Sequence, residues 1–251
     1  NPLMFAEFGA PYEAVSGGIN TVEEDRFDVF ALLAHEGEQF GWEMGVRYET
    51  TEATVTNRDT NEVSENDYSF VLPSAHLRYS VGESGRINAS VARSLRRPEF
   101  DYITPSLREE ELGDNDLLGN PDLKPESAWG LDLGYEYRLG KTGVVGINFF
   151  YRDVTDLIEI ANTEQQGAEG EGTFILQPRN TGDGTVRGVE LDMSTPLSAL
   201  GMPNTGVFLN YSWLDSAVDD VFGERKFNDQ SDYVYNVGFI QDLPDLGASF
   251  G

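Results

Sequence analysis

Three arginines, Arg93, Arg96 and Arg97, lie close together and an acidic stretch follows them. Guanidinium groups bind carboxylates and phosphates through paired hydrogen bonds, so the cluster could hold an anionic small molecule such as a carboxylate-bearing siderophore. We therefore take as candidate ligand contacts Arg93, Arg96, Arg97, Asp101 and Tyr102. The preferred alternative is a salt-bridged loop anchor, in which the arginines pair with the acids Glu99, Asp101, Glu109, Glu110, Glu111, Asp114 and Asp116.

Other patterns that could do chemistry are weak. Asp114-Asn115-Asp116 begins like a calcium loop, but Leu118 stands where the pattern needs another oxygen ligand, which leaves at most a weak surface site. His35 and His76 have neither metal-ligand spacing nor a nucleophile partner. The chain has no cysteine, which excludes thiolate zinc sites and disulfides. We therefore expect no catalytic residues, no metal, no cofactor and no enzyme activity.

The elements that position these residues are predicted to be β-strands. Apolar side chains alternate with small or charged ones, as in Trp129, Leu131, Leu133, Tyr135 and Tyr137. The same period predicts nine strands, near 25–36, 40–54, 67–81, 86–97, 127–139, 144–158, 185–195, 205–217 and 231–243, with a tenth beginning near Ala248. Arg93 interrupts the alternation that starts at Ile87, which predicts a bulge or an interfacial position there.

The connections between these strands alternate in length. Tight glycine-rich turns at 37–39, 82–85 and 140–143, with a medium one at 196–204, alternate with long polar loops at 55–66, 98–126, 159–184 and 218–230. In a meander, alternate connections lie at opposite ends, so the long loops share one end. Long strands with one apolar, aromatic face suit a bilayer crossing at a tilt. We predict an all-β fold, an antiparallel up-and-down transmembrane β-barrel.

Composition narrows the class further. The chain has 251 residues, with 17 basic and 44 acidic side chains and a formal net charge of -27. Nucleic-acid binding is excluded because phosphate neutralisation needs clustered basic residues. The longest apolar run, 29–34, is far shorter than the roughly 20 residues of a membrane-spanning helix. The alternatives that remain are a soluble all-β binding module and a small passive porin or adhesin barrel of about ten strands.

One segment carries a family resemblance. Gly119-Asn120-Pro121-Asp122-Leu123-Lys124-Pro125-Glu126 resembles the Asn-Pro-x-Leu-Lys-Pro-Glu signature of TonB-dependent outer-membrane receptors. Further segments in family order are similar to strands of these receptors, particularly those of Xanthomonas- and Caulobacter-like bacteria. These segments are Gly45-Val46-Arg47-Tyr48-Glu49, Arg93 to Pro98, Asn148 to Ile158, and Asn180-Thr181-Gly182 with Val186 to Leu191.

The matched signature residues are Asn120, Pro121, Leu123, Lys124, Pro125 and Glu126. The two prolines fix φ and remove two donors, which gives a rigid extended segment. Lys124 and Glu126 could pair with each other or stay solvated. We interpret the signature as structural, guiding the chain into the strand that follows it.

The resemblance implies an outer-membrane receptor with a 22-stranded barrel, an amino-terminal plug and a TonB box. Residues 1–251 would then be a partial barrel of about 9–10 strands, cut at both ends, with plug and TonB box absent from this chain. The implied function is active uptake of a scarce ligand such as a ferric siderophore or an oligosaccharide. The implied partners are the TonB-ExbB-ExbD system, acting through the plug, together with outer-membrane lipid and lipopolysaccharide. The long loops would be extracellular.

The acidic charge fits this arrangement. Much of it falls in the predicted long loops, as with Glu62, Glu164, Glu169, Glu171 and Asp229, and almost none on the predicted lipid-facing positions. An acidic rim favours bridging to lipopolysaccharide through divalent cations.

Overall fold

The computed structural model describes residues 4–5, 13–14, 18–108, 114–168, 172–220, 223–228 and 230–251. Six acids named above, Glu109, Glu110, Glu111, Glu169, Glu171 and Asp229, lie outside the described residues. The helical pieces are α1 (Phe100–Ile103) and two 3-10 turns at Ser198–Leu200 and Pro244–Leu246. None of the described helices is long and apolar enough to cross a membrane.

Strands make up almost all of the rest. In chain order they are β1 (Met4–Phe5), β2 (Glu13–Ala14), β3 (Asn20–Glu36), β4 (Phe40–Asn57), β5 (Val63–Val81), β6 (Gly85–Arg96), β7 (Leu107–Arg108), β8 (Asp116–Leu118), β9 (Glu126–Leu139), β10 (Gly143–Gln166), β11 (Phe174–Leu197), β12 (Met202–Asp220), β13 (Gly223–Arg225), β14 (Tyr233–Leu243) and β15 (Ala248–Phe250).

The main sheet is an antiparallel meander. Its strand order is β15-β14-β12-β11-β10-β9-β6-β5-β4-β3, with the short strands β7, β8 and β13 attached at one end. Each long strand therefore pairs with the long strands before and after it in the chain. Among the described residues β3 and β15 share no ladder, so the sheet is open. The predicted all-β, up-and-down, incomplete barrel is confirmed.

Several strands extend further than predicted, mainly toward the long-loop end. β10 ends at Gln166 and β11 begins at Phe174, so the predicted loop 159–184 is mostly a two-stranded arm. The predicted loops 55–66 and 218–230 are shortened in the same way, because β4, β5 and β12 run into them. These extensions carry polar residues on both faces. The apolar alternation therefore stops although the backbone pairing continues.

The arm begins at a pair of irregularities in β10 and β11. Asp156 has a φ of 57° and Gly182 a φ of 153°. The β10–β11 register shifts between Val154 and Leu157 and again between Leu157 and Ile158. Such bulges bend a strand and re-aim its side chains. In this case both Leu157 and Ile158 become buried.

One face of the meander is apolar and open. Its side chains on β9, from Trp129 to Tyr137, are between 39% and 54% exposed. Exposed aromatic residues occur along this whole face. An outer aromatic level toward the long loops contains Tyr48, Trp129, Tyr151, Trp213 and Tyr233, an inner one toward the tight turns contains Phe40, Tyr79 and Tyr137, and further aromatic residues between them are Tyr135, Phe149, Tyr211 and Tyr235. Trp129 and Tyr137 are about 27 Å apart along the strand, or roughly 21 Å along the membrane normal at a typical barrel tilt, which matches a bilayer's apolar thickness.

The opposite face carries polar residues and several close glycine–aromatic contacts. Phe150 lies directly across from Gly188, and Phe208 across from Gly238. A Cβ on Gly188 would come within 2.5 Å of the Phe150 ring. The rings therefore lie in the space that glycine leaves on the neighbouring strand.

Candidate functional site at the long-loop end

Arg97 binds a buried carboxylate on β4. Its Nη2 donates to Glu49 Oε1, and Arg47 Nη1 lies 3.8 Å from the other oxygen of the same carboxylate. The Glu49 side chain is only 4% exposed. Burial of a carboxylate is costly unless it is paired, so the arginines stabilise Glu49 in place. Arg47, Glu49 and Arg97 thus form a group of charged side chains on the polar face.

Arg93 lies just beyond the point where the β5–β6 ladder ends. The β6–β9 register runs unbroken through the Arg93–Trp129 pair, so the predicted bulge is absent from this ladder. The β5–β6 ladder instead ends just before it, at Ser74 and Ala92. The Arg93 guanidinium lies 5.3 Å from the centre of the Phe70 ring, and its Nη2 donates to Ser127 Oγ at 3.3 Å. The other predicted alternative, an interfacial position, stays a prediction.

Arg96 and Asp101, two further candidate contacts, belong to two separate ion pairs. Arg96 Nη1 lies 3.6 Å from Glu126 Oε2, so Glu126 pairs with Arg96 and not with Lys124. Asp101 pairs with Arg108 at 3.0 Å and remains 74% exposed. The predicted ligand contacts thus do not form one cluster. The salt-bridged alternative is also wrong as predicted: among the described residues the arginines do not pair with the acidic loop, since Arg96 and Arg97 bind Glu126 and Glu49, which lie on strands.

The signature segment is anchored by a buried leucine. Leu123 is fully buried in a cluster with Val55 of β4, Ile103 of α1 and Ile158 of β10. Tyr102 packs against the same cluster, which places it in a structural contact. The cluster lies across the concave face, because β5, β6 and β9 separate β4 from β10 in the sheet.

Asparagine side chains hold the backbone of the same segment. Asn180 Oδ1 accepts from Lys124 N–H at 3.0 Å, and Asn180 Nδ2 donates to the carbonyls of Lys124 at 3.0 Å and Asp156 at 2.8 Å. Asn120 donates to the Pro178 carbonyl at 3.1 Å. Asn66 of β5 donates to the Leu123 carbonyl. The segment is therefore bonded to β5 on one side and to β11 on the other.

Asn115 and Asp116 cap the backbone of the arm. Asn115 Oδ1 accepts from Phe174 N–H at 2.8 Å, and Asp116 Oδ2 accepts from Ala168 N–H at 2.7 Å. β8 pairs in parallel with β11 at this point. The oxygens that resemble a calcium loop thus have structural partners, and no metal-ligating group of three acids or histidines occurs within the described ranges.

A second buried carboxylate, Glu159, was not foreseen from the sequence. It accepts from Arg225, from the Asn228 N–H at 2.9 Å and from Thr181 Oγ1 at 2.9 Å, while Arg225 also binds Asp220 at 2.7 Å. Glu159 lies on the arm, beyond the outer aromatic level. Burial alone raises the pKa of the Glu159 carboxyl, but the hydrogen bonds from Arg225, Asn228 and Thr181 outweigh it and hold the pKa below its ordinary value. No local motif marks this pair, because Arg225 follows Glu159 by 66 residues.

The polar wall also has a cavity of about 420 Å³ nearer the tight turns. Its lining includes Glu36, Glu43, His76, Arg78 and Asp132. Arg78 pairs with Glu36 at 3.2 Å. Above it, Arg152 pairs with Asp132 at 2.8 Å. This part of the concave wall is thus lined with charged groups that could meet a polar solute.

An apolar belt outside, a charged wall inside and loops gathered at one end define the wall of a transmembrane β-barrel. The chain belongs to the TonB dependent receptor-like β-barrel family, whose model matches residues 5–251. This family assigns the chain to the outer membrane. The family is one of receptors, and the match favours it over a soluble module or a small passive barrel.

Known proteins agree with this assignment. The chain is 23% identical to the ferrienterobactin receptor of Escherichia coli K12 over 197 residues, which is 72% of this chain and 24% of that protein. The siderophore receptor PirA of Pseudomonas aeruginosa shares the fold with a TM-score of 0.59 and 18% identity, over 88% of this chain and 46% of that one. The copper transporter OprC has a TM-score of 0.67 and 16% identity, over 93% and 34%. The chain thus spans about a quarter of its curated relative and less than half of PirA.

Proposed function

We propose that this chain is part of an outer-membrane receptor that takes up a scarce ligand with energy supplied through TonB. The observation that carries the proposal is the charged concave wall at the external mouth, within a family-matched barrel segment. Arg47 and Arg97 lie there around one carboxylate, which gathers two guanidinium groups in a chain of net charge -27. Such a mouth attracts an anionic solute locally despite the acidic surface.

A ferric siderophore is the ligand we favour over an oligosaccharide. The chain's curated relatives are named for iron: a ferrienterobactin receptor and an iron-regulated outer membrane virulence protein. Guanidinium groups suit the carboxylate or catecholate oxygens of siderophores. The structural neighbours include both iron and copper transporters, so the fold by itself leaves the ligand open.

In our proposal the plug domain and the TonB box of the receptor lie outside residues 1–251. Residues 1–251 would be a partial barrel out of about 22 strands, and a plug with a TonB box would engage TonB-ExbB-ExbD. The apolar belt would contact outer-membrane lipid, and the acidic rim would approach lipopolysaccharide through divalent cations. The receptor would carry no catalytic residue, and its proposed role ends at binding and transport.

Uptake by the full-length receptor tests this function. Cells that express it under iron limitation are given ferric siderophores or fluorescent oligosaccharides, with a TonB-deficient strain as the control. We expect TonB-dependent accumulation of iron. Accumulation of sugar alone would replace the siderophore by an oligosaccharide, and TonB-independent entry of both would contradict the proposal.

A further inference from the structure

We propose that residues 114–126 form a fixed brace across the external mouth, and that Asn180 is the positioning residue that holds it. We call residues 114–126 the brace. This inference rests on the proposed function, since it concerns how the receptor presents its mouth to a ligand. It assigns to Asn180 a role that neither the family signature nor the ion pairs require.

One end of the brace is fixed by burial. Leu123 is fully buried against Val55 and Ile158, which belong to strands on opposite sides of the concave wall. Asn66 holds the carbonyl of the same leucine from β5. The brace therefore contacts two distant parts of the sheet at a single residue, and movement of either part disturbs the contact.

Hydrogen bonds to β11 fix the rest of the brace, from Lys124 back to β8. Asn180 satisfies both backbone groups of Lys124 and also the carbonyl of Asp156 at the base of the arm. Asn120 and β8 add further bonds to β11. An amide is the side chain that suits this position, because it donates and accepts at once.

The sequence of the brace lowers the cost of keeping it ordered. Pro121 and Pro125 flank Leu123 and restrict the chain in the undocked state as well as in the docked one. A segment that is ordered before the ligand arrives adds no ordering cost to binding. The brace therefore preorganises the mouth next to the Arg97–Glu49 pair, and we expect the ligand to enter past it without its release.

Distance measurements test whether the brace is fixed. The chain has no cysteine, so spin labels can be placed at Asp122→Cys in the brace and Glu52→Cys in β4, both exposed positions, within the full-length receptor. We expect one narrow distance distribution that added ferric siderophore does not change. The substitution Asn180→Ala should broaden it, whereas the control Arg179→Gln should not, since the Arg179 side chain bonds to Gln177 at 3.1 Å and to no residue of the brace that the structure describes. A broad distribution in the parent receptor would overturn the inference whatever the receptor transports.

Uptake kinetics provide the second readout. Asn180→Ala should raise the apparent KM for the transported siderophore roughly five- to tenfold and leave the maximal rate within about twofold, because loss of its hydrogen bonds adds an ordering cost to binding alone. A merely structural defect would lower receptor abundance and maximal rate together. Unchanged KM in Asn180→Ala would overturn the inference, while absence of uptake by the parent receptor would instead contradict the proposed function.

Discussion

Arg97 and Glu49 lie 48 positions apart in the chain, yet the guanidinium of one binds the buried carboxylate of the other. The pair joins the residue that follows β6 to the middle of β4, past the intervening strand β5. The Glu49 carboxylate is only 4% exposed, so water has little access to it and its charge is stabilised by the arginine instead.

Removal of Arg97 should therefore destabilise the barrel strongly. We expect Arg97→Ala to cost about 3–5 kcal/mol of the free energy of unfolding, since it leaves Glu49 buried with only the longer Arg47 contact. Denaturant unfolding in detergent, followed by loss of heat-modifiable migration, measures this. The matched control is Arg96→Ala, which breaks the more exposed pair with Glu126 and should cost no more than about 1 kcal/mol. Equal effects of the two substitutions would contradict the assignment.

Leu123 should be the most sensitive residue of the signature. Leu123→Ala removes fully buried methyl groups between β4 and β10, and we expect a loss of about 2–5 kcal/mol. Leu200→Ala is the control, because Leu200 is 72% exposed on a tight turn and should change stability by less than about 0.5 kcal/mol. Both are compared by the same unfolding assay, and a neutral Leu123→Ala would exclude a structural role for the signature.

Acid should loosen the segment around Arg225. The pKa of Glu159 is lower when folded, so its stabilising contribution is complete above the unfolded pKa of about 4.3 and is lost as pH falls through the lower folded value. Limited proteolysis or hydrogen exchange at 223–228, between pH 7 and pH 3, should show increased opening at the acidic end. Glu159→Gln should open this segment already at pH 7 and flatten the pH dependence, whereas the exposed Glu164→Gln should behave as the parent.

The glycine–aromatic contact on the inner wall gives a steric prediction. Gly188→Val should impair assembly, because its Cβ would meet the Phe150 ring at 2.5 Å and the Trp213 carbonyl. Gly206→Val on β12 is the matched control, since its Cβ meets nothing within 4 Å and valine favours strands. The yield of heat-modifiable barrel in outer membranes distinguishes them. The joint substitution Gly188→Val with Phe150→Ala should recover part of the loss.

The strands could be predicted from sequence because lipid on one side and polar groups on the other impose a period of two. That signal placed Trp129 to Tyr137 on the outer face correctly. It fails where water surrounds both faces, which is why the arm of β10 and β11 was expected to be a loop. The ion-pair partners of the arginines and of Glu159 could also not be predicted from the sequence. They are set by long-range register, and a pair 66 residues apart leaves no local pattern.

The parallel pairing of β8 with β11 covers part of an otherwise unpaired strand edge. The β11–β12 ladder begins at Asp183, so the part of β11 that precedes Asp183 does not pair with β12. Unpaired strand edges can pair with strands of other molecules. β8 occupies part of that edge at Ile175 and Leu176. A foreign strand that pairs with β11 at these two residues must therefore displace β8 first.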